Sequence, residues 1–133
     1  MTTKKIFHFA GSRKRAKARA TLKEGNVVIR INSRLLDTYQ PTMARLKIME
    51  PLIIAGDSAK DVDIEVHVFG GGWQAQAEAS RLAIARALVA YDNKLKPEFL
   101  EYDRHLIVAD VRRNEPHKPN DSKPRAKRQK SYR

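Results

Sequence analysis

The chain has 133 residues, with 27 Lys or Arg, 15 Asp or Glu, a formal net charge of +12 and no cysteine. The lack of thiols excludes disulfides and cysteine-ligated metal sites and makes a reducing compartment, here the cytoplasm, the default expectation. No apolar run approaches the ~18 residues of a membrane-spanning helix, and the N-terminus lacks the apolar stretch of a signal peptide. We therefore expect a soluble protein with one folded domain of ordinary size.

The positive charge is concentrated at the two ends of the chain. Residues 1–23 carry eight Lys or Arg and no acid, and residues 112–133 carry nine against two acids. The stretch between them, residues 24–111, is net −3. A mildly acidic body with two cationic ends is typical of proteins that bind phosphate-rich polymers. A membrane surface would attract the same charge, but no amphipathic helix with an aromatic apolar face accompanies it.

Two strands are predicted in the N-terminal part of the chain. Residues 5–10 alternate weakly and predict the first strand. From residue 13 to residue 22, basic side chains alternate with Ala and Leu. This pattern favours a strand, because a helix would distribute the charges around its surface and leave no face to bury. We call the basic residues of this alternation the cationic stripe, which comprises Arg13, Arg15, Lys17 and Arg19.

A turn and a helix are predicted next. Residues 24–26 have turn composition and residues 27–31 alternate again, so this run and the cationic run are predicted to form a hairpin. Asn32 or Ser33 is expected to cap a short helical turn. Residues 41–55 have a helical period, and Pro51 is expected to kink or restart that helix. The apolar side chains near one of its faces are Met43, Leu46, Met49 and Ile53.

The second half of the body combines a strand with two helices. Residues 61–69 show the cleanest alternation in the chain and predict a strand with one face in the core. A long helix is predicted over residues 73–91, and its many small residues indicate close packing on the sheet. Its polar stripe consists of Gln74, Glu78 and Arg81. A short helix is predicted over residues 97–102.

Three consecutive glycines separate that strand from the long helix, where backbone amides and the helix dipole can bind an anion. Neither the Lys-Ser/Thr of a P-loop nor the G-x-G-x-x-G spacing is present, so a nucleotide site is disfavoured. A tight turn, with an RNA phosphate at the helix start, is the preferred interpretation. The four histidines are scattered, and no nucleophile, base and orienting group can be proposed from spacing. We predict no catalytic residue, no metal and no cofactor.

Residues 112–133 are predicted to form an extended tail that is disordered alone and ordered against a polyanion, while residues 1–111 form a globular RNA-docking domain. Three prolines in the tail favour extended backbone. The alternative is a solvated charge run or a localisation sequence. Two details favour RNA: the one-faced cationic stripe, and Tyr132, whose ring can stack among neighbouring cations.

Five sets of residues carry a family resemblance: residues 11–16 (GSRKRA), Gly25 with residues 31–32 (IN), and residues 70–77 (GGGWQAQA), 81–88 (RLAIARAL) and 128–133 (RQKSYR). In these segments the sequence resembles the ninth protein family of the small ribosomal subunit, in its archaeal and eukaryotic branch. The resemblance implies an α+β fold in which helices pack on a four-stranded sheet, with a left-handed β-α-β crossover and a long extended basic C-terminal tail. It also implies a structural, non-enzymatic ribosomal protein.

The implied partners are small-subunit rRNA in the head, neighbouring head proteins, and the anticodon stem-loop of P-site tRNA at the tip of the tail. The residues predicted to bind rRNA are Arg13, Lys14, Arg15, Lys17, Arg19, Gly70, Gly71, Gly72, Gln74, Arg112, Arg113, Lys118, Lys123, Arg125 and Lys127. Those predicted to bind P-site tRNA are Arg128, Lys130, Tyr132 and Arg133. The alternatives are a nucleotide-dependent kinase-like enzyme, since kinases with glycine-rich loops share this kind of fold, and a free RNA chaperone.

Overall fold

The computed structural model describes residues 3–120, 123–127, 129 and 131–132. A five-stranded sheet in the order β1-β2-β5-β3-β4 organises the body. Its strands are β1 (Ile6–Arg13), β2 (Ala16–Glu24), β3 (Ile29–Ile31), β4 (Arg34–Leu35) and β5 (Val62–Phe69). The α+β class is confirmed. The prediction of four strands is wrong, because the two-residue strand β4 extends the sheet at one edge.

The first two strands form the N-terminal hairpin. β1 and β2 pair antiparallel from Ile6 opposite Lys23 to Arg13 opposite Ala16. Their turn contains Lys14 at a φ of 52°. The run that was predicted as one cationic strand therefore crosses this turn. The predicted hairpin between that run and residues 27–31 is wrong as well, since β5 lies between β2 and β3.

Asp63 joins the start of β5 to the loop after β2. Its Oδ1 accepts hydrogen bonds from the backbone N–H groups of Asn26 and Val28, both at 2.9 Å. The bond from Val28 is the largest cause that lowers the pKa of the Asp63 carboxyl. The loop after β2 is thus attached to the start of β5.

The residues that were expected to cap a helical turn form a hairpin turn instead. Asn32 and Ser33 have φ values of 49° and 68° and join β3 to β4, as the two-residue turns of β-hairpins require. The Asn32 side chain donates to the Val68 carbonyl at 3.1 Å and accepts from the Val68 N–H at 2.9 Å. The short helical turn at Leu36–Thr38 has no side-chain cap.

Three helices cover the sheet: α1 (Thr42–Ala55), α2 (Trp73–Tyr91) and α3 (Leu95–Tyr102). α1 joins β3 to β5, which are parallel, so these elements form a β-α-β unit. Pro51 lies inside α1 and faces the core without dividing the helix. The core face of α1 is not the one marked by the predicted apolar cluster, because Met43, Leu46 and Ile53 are exposed. Its buried residues are Ala44, Ile48, Pro51 and Ala55.

The helices lie on one face of the sheet and leave the other open. Alternate residues of β5 are buried beneath α2, as predicted: Val62, Ile64, Val66 and Val68. β1 packs directly on α2 at Gly11, where a Cβ would lie 2.4 Å from the Ala79 carbonyl oxygen. On the open face, Glu65, His67 and Phe69 are exposed. We call this surface the outer face.

After a short helical turn at Arg104–Leu106, residues 109–118 form neither helix nor strand. In the described part of the chain, no helix has both the length and the apolar character to cross a bilayer.

Candidate nucleic-acid interface

Strand register places basic and aromatic side chains together on the outer face. Lys17 lies opposite Phe69, and Arg19 lies opposite His67. Both cations are exposed, because the alternate residues Ala16, Ala18 and Ala20 are buried against the helices. The alternation that predicted a one-sided cationic strand is therefore correct for β2.

A cleft at the edge of the sheet extends this basic surface. It has a volume of about 270 Å³ and runs along the outer side of β1. We call it the cationic cleft, because four of its lining residues are cations and none is an acid. Its lining comprises Ala10, Gly11, Ser12, Lys17, Ala18, Arg19, Arg86 and Arg113.

The two arginines that come from outside the hairpin are positioned by neutral acceptors. Arg86 of α2 donates from Nη1 to the Ala10 carbonyl at 2.8 Å and from Nε to the Ile107 carbonyl at 2.9 Å. Arg113 donates from Nη2 to Ser12 Oγ at 2.9 Å. In the described residues, no carboxylate pairs with any of the four cations. The cleft thus presents four uncompensated positive charges, which suits phosphate oxygens.

Arg13 does not share this surface. It lies opposite Ala16, on the face that is covered by helices. Its Nε is 2.6 Å from Glu78 Oε2 of α2, and its Nη1 donates to Asp110. The prediction that the cationic stripe occupies a single face is therefore wrong, because the turn after Arg13 changes the phase of the alternation.

Arg13 belongs instead to a cluster at the root of the tail. Arg112 donates to Asp110 from Nη2 at 2.8 Å, and its backbone N–H reaches Oδ1 at 2.9 Å. The hydrogen bonds from Arg112 are the largest cause that keeps the pKa of Asp110 far below its usual range, and the charge of Arg13 adds to them. We call Arg13, Glu78, Asp110 and Arg112 the tail anchor, since they fix residues 110–112 to β1 and α2.

The glycine turn packs directly against the β1–β2 turn. Gly70 and Gly71 have φ values of 77° and 64°, and a Cβ on Gly70 would lie 2.6 Å from the Arg15 carbonyl oxygen. Backbone packing alone thus accounts for the first two glycines, in agreement with the tight-turn interpretation. The exposed side chains of Lys14 and Arg15 lie at this junction, and exposed Gln74 lies in the first turn of α2.

The family model described as Ribosomal protein S9/S16 matches residues 11–133. The chain belongs to the ribosomal protein S9/S16 family. The chain is 50% identical to the small ribosomal subunit protein uS9 of Methanococcus maripaludis strain C5, over 97% of this chain and 99% of that protein. The uS9 proteins of strains C7 and S2 are 49% identical over the same shares.

Membership of the S9/S16 family confirms the resemblance found in the sequence, including its small-subunit character. It also confirms the prediction that the chain is not an enzyme, since the family is one of ribosomal proteins. The kinase-like alternative is thereby set aside.

In this S9/S16 protein, one member of the polar stripe of α2, Arg81, connects α2 to α1 and to the residue that follows α3. The buried Arg81 donates from Nη2 to Asp103 at 2.7 Å, and its Nε is 2.9 Å from Glu50 of α1. Partial burial of Asp103 raises its pKa, but the bond from Arg81 and that from the His105 N–H outweigh it, so the pKa is lowered overall. Gln74, the uncharged member of the predicted stripe, is exposed, whereas Glu78 and Arg81 are at least partly buried.

The described cations of the tail are exposed. Lys118 and Arg125 both approach Glu115, at 3.5 Å and 3.1 Å, and Lys123 and Lys127 lie on the surface. Tyr132 is 88% exposed. The predicted tRNA-binding residues Arg128, Lys130 and Arg133 lie outside the described residues.

Arg86 is the member of the cleft that sequence reasoning missed. It lies in a helix whose apolar period indicates core packing, and nothing in the local pattern shows that its guanidinium reaches the β1 edge. Within the described residues, no group of three or more His, Asp or Glu side chains is placed to hold a metal ion.

Proposed function

We propose that this S9/S16 protein is a structural constituent of the small ribosomal subunit in the cytoplasm, and that its body binds small-subunit rRNA through the cationic cleft. The relatives named above are small-subunit proteins, which supports the assembly. The main support for the rRNA contact is the composition of the cationic cleft. Its lining includes no acid and four cations, Lys17, Arg19, Arg86 and Arg113. Lys14, Arg15, Gln74 and the glycine turn extend this contact towards the start of α2.

The cleft suits backbone recognition more than sequence recognition. Guanidinium and ammonium groups bind phosphate oxygens, and such contacts fix the position of the RNA without distinguishing bases. Two of the guanidinium groups are already oriented by carbonyl or hydroxyl acceptors, so less conformational freedom is lost on binding. Each neutralised phosphate releases counterions, and binding therefore weakens steeply with salt.

The tail has two roles in this proposal. Arg112, Lys118, Lys123, Arg125 and Lys127 bind rRNA phosphates along its path through the head, between neighbouring head proteins. Arg128, Lys130, Tyr132 and Arg133 contact the anticodon stem-loop of P-site tRNA. The exposure of Tyr132 and of the described tail cations supports this arrangement. Arg13 contributes indirectly, because its ion pairs with Glu78 and Asp110 hold the root of the tail.

Salt-dependent binding of the purified protein to transcribed rRNA from the small-subunit head tests the proposal. Lys17→Gln and Arg113→Gln are each expected to reduce the slope of log K against log salt by about 0.7 to 0.9, the value for one lost phosphate contact. Lys94→Gln and Lys96→Gln remove the same charge near α3 and serve as matched controls. Equal slopes for cleft and control variants would show that the cleft does not bind the backbone.

A sucrose gradient of cell extract tests the assembly. The protein is expected to sediment with small subunits and to remain there through washing at moderate salt. A protein found mainly in the light fractions would support the RNA-chaperone alternative and contradict the proposal.

A further inference from the structure

One aromatic ring on the outer face is half exposed to solvent. Phe69 is the last residue of β5, and it is 51% exposed, whereas Val62, Ile64, Val66 and Val68 of the same strand are buried on the opposite face. Register places Lys17 directly opposite Phe69, and the guanidinium carbon of Arg19 lies 6.0 Å from the centre of the ring.

The charges around the ring favour an RNA partner over a protein. The acids of the outer face, Asp63 and Glu65, lie towards the other end of β5, and Glu65 is 3.7 Å from His67. On the outer face, the end of β2 and β5 that carries Phe69 has cations and no acid, and it continues into the cationic cleft through Lys17 and Arg19. An aromatic face beside phosphate-binding side chains is the arrangement with which proteins hold unpaired nucleotides.

The turn that follows the ring carries no side chains. Phe69 is followed by the glycine turn, and a Cβ on Gly72 would meet no atom within 4 Å. Trp73, at the start of α2, is 47% exposed. Three residues without side chains thus separate Phe69 from Trp73 along the chain.

We propose that Phe69 stacks on the base of an unpaired rRNA nucleotide whose flanking phosphates are bound by Lys17 and Arg19. This inference rests on the proposed function, since it assigns a particular contact to the same RNA. The ring supplies the stacking surface, and the cations of Lys17 and Arg19 beside it supply the phosphate contacts. Stacking of this kind tolerates any base, so it stabilises a flipped-out nucleotide without reading its identity.

The test uses the full chain at low salt and two RNA probes of equal length, an oligoadenylate and an oligomer of the same backbone without bases. Trp73 is the one tryptophan in the chain, so its fluorescence reports binding beside the glycine turn. Phe69→Leu keeps an apolar side chain but removes the stacking face, and Phe69→Tyr keeps the face. Because Phe69 is half exposed, both variants are expected to fold, which circular dichroism verifies.

We expect Phe69→Leu to weaken binding of oligoadenylate about 5- to 150-fold, the range for the loss of one stacked base. Binding of the abasic oligomer and the salt slope should not change, and Phe69→Tyr should bind like the wild type. Lys17→Gln should weaken both probes and reduce the slope.

Two results would overturn the stacking contact while leaving the proposed function intact. One is equal affinity of wild type and Phe69→Leu for oligoadenylate, together with the expected slope change in Lys17→Gln. The other is normal RNA binding by Phe69→Leu combined with poor incorporation into subunits, which would assign the ring to a protein neighbour. Failure of the proposed function is distinct, because the charge variants would then leave the slope unchanged.

Discussion

Gly11→Ala is the substitution whose effect the structure defines most sharply. The new Cβ would lie 2.4 Å from the Ala79 carbonyl oxygen and 2.7 Å from the Ala83 nitrogen, both backbone atoms of α2. Neither can rotate away, so β1 and α2 must separate by at least 0.6 Å to restore a 3.0 Å contact. Overpacking of this kind costs about 1–3 kcal/mol, and rigid partners on both sides place it near the upper end.

A smaller opposing effect reduces that cost. Replacing Gly by Ala lowers the conformational entropy of the unfolded chain, which stabilises the folded state by about 0.4–1 kcal/mol. The net loss is therefore about 2 kcal/mol, a substantial part of the 5–15 kcal/mol that is typical for a domain. For a chain of this size we expect Tm to fall by roughly 8 °C.

Thermal unfolding followed by circular dichroism measures the loss, and Gly72→Ala is the control, since its Cβ meets no atom within 4 Å. Gly72 also precedes α2 as its N-cap, so its substitution should cost at most about 1 kcal/mol. Gly11→Ala should also weaken rRNA binding, because Ala10 and Ser12 on either side of it hold Arg86 and Arg113. An unchanged Tm for Gly11→Ala would refute the close packing of β1 on α2.

Three further predictions concern the tail and pH. Asp110→Asn weakens the tail anchor, so it should increase proteolysis after residue 110 and lower the affinity of reconstituted subunits for P-site tRNA. It should leave rRNA binding by the body intact. An unchanged protease pattern would contradict the tail anchor. Deletion of residues 130–133 should preserve assembly and lower tRNA affinity, and equal affinity would remove the tip from the proposal. Asp63 and Asp103 have folded-state pKa values below their usual range, so they bind protons less readily when folded. Their stabilisation is complete above about pH 5, where these carboxyls are ionised in the unfolded chain as well, and it is lost as pH falls through the lowered pKa values. Tm should therefore decline as the solution is acidified below about pH 5, and less steeply in Asp63→Asn.

The elements that sequence alone placed correctly are those with a clean local pattern. β5 has four buried valine or isoleucine residues in strict alternation, and α2 has a long run of small and apolar residues at helical spacing. In both elements most of the apolar residues of the local pattern are buried, so the local sequence is sufficient to predict the element and its core face.

The predictions from sequence are wrong where contacts between residues far apart in the chain determine which strands pair and which side chains are buried. β5 lies between the two strands that adjacency predicted to pair, and the bonds from Asn26 and Val28 to Asp63 connect it to the loop between them; no local pattern indicates this partner. α1 is apolar on two sides, so its wheel cannot show that Ile48 faces the core while Leu46 does not. Arg13 and Arg19 both occupy odd-numbered positions, so strict alternation predicts that they share a face. The turn at Lys14 instead places them on opposite faces of the sheet.

The attachment of residue 112 to the body limits where the end of the chain can act. A fully extended chain spans at most about 3.3–3.6 Å per residue, so the 21 residues from 113 to 133 cannot reach farther than roughly 75 Å from their tether. Every ligand of the tip must lie inside that radius, whatever path the chain takes. A fixed origin also raises the local concentration of the tip over that of a free peptide, so that weak contacts suffice for frequent occupancy. Lengthening the segment after residue 113 with Gly-Ser repeats would dilute the tip within a larger volume without altering a single contact.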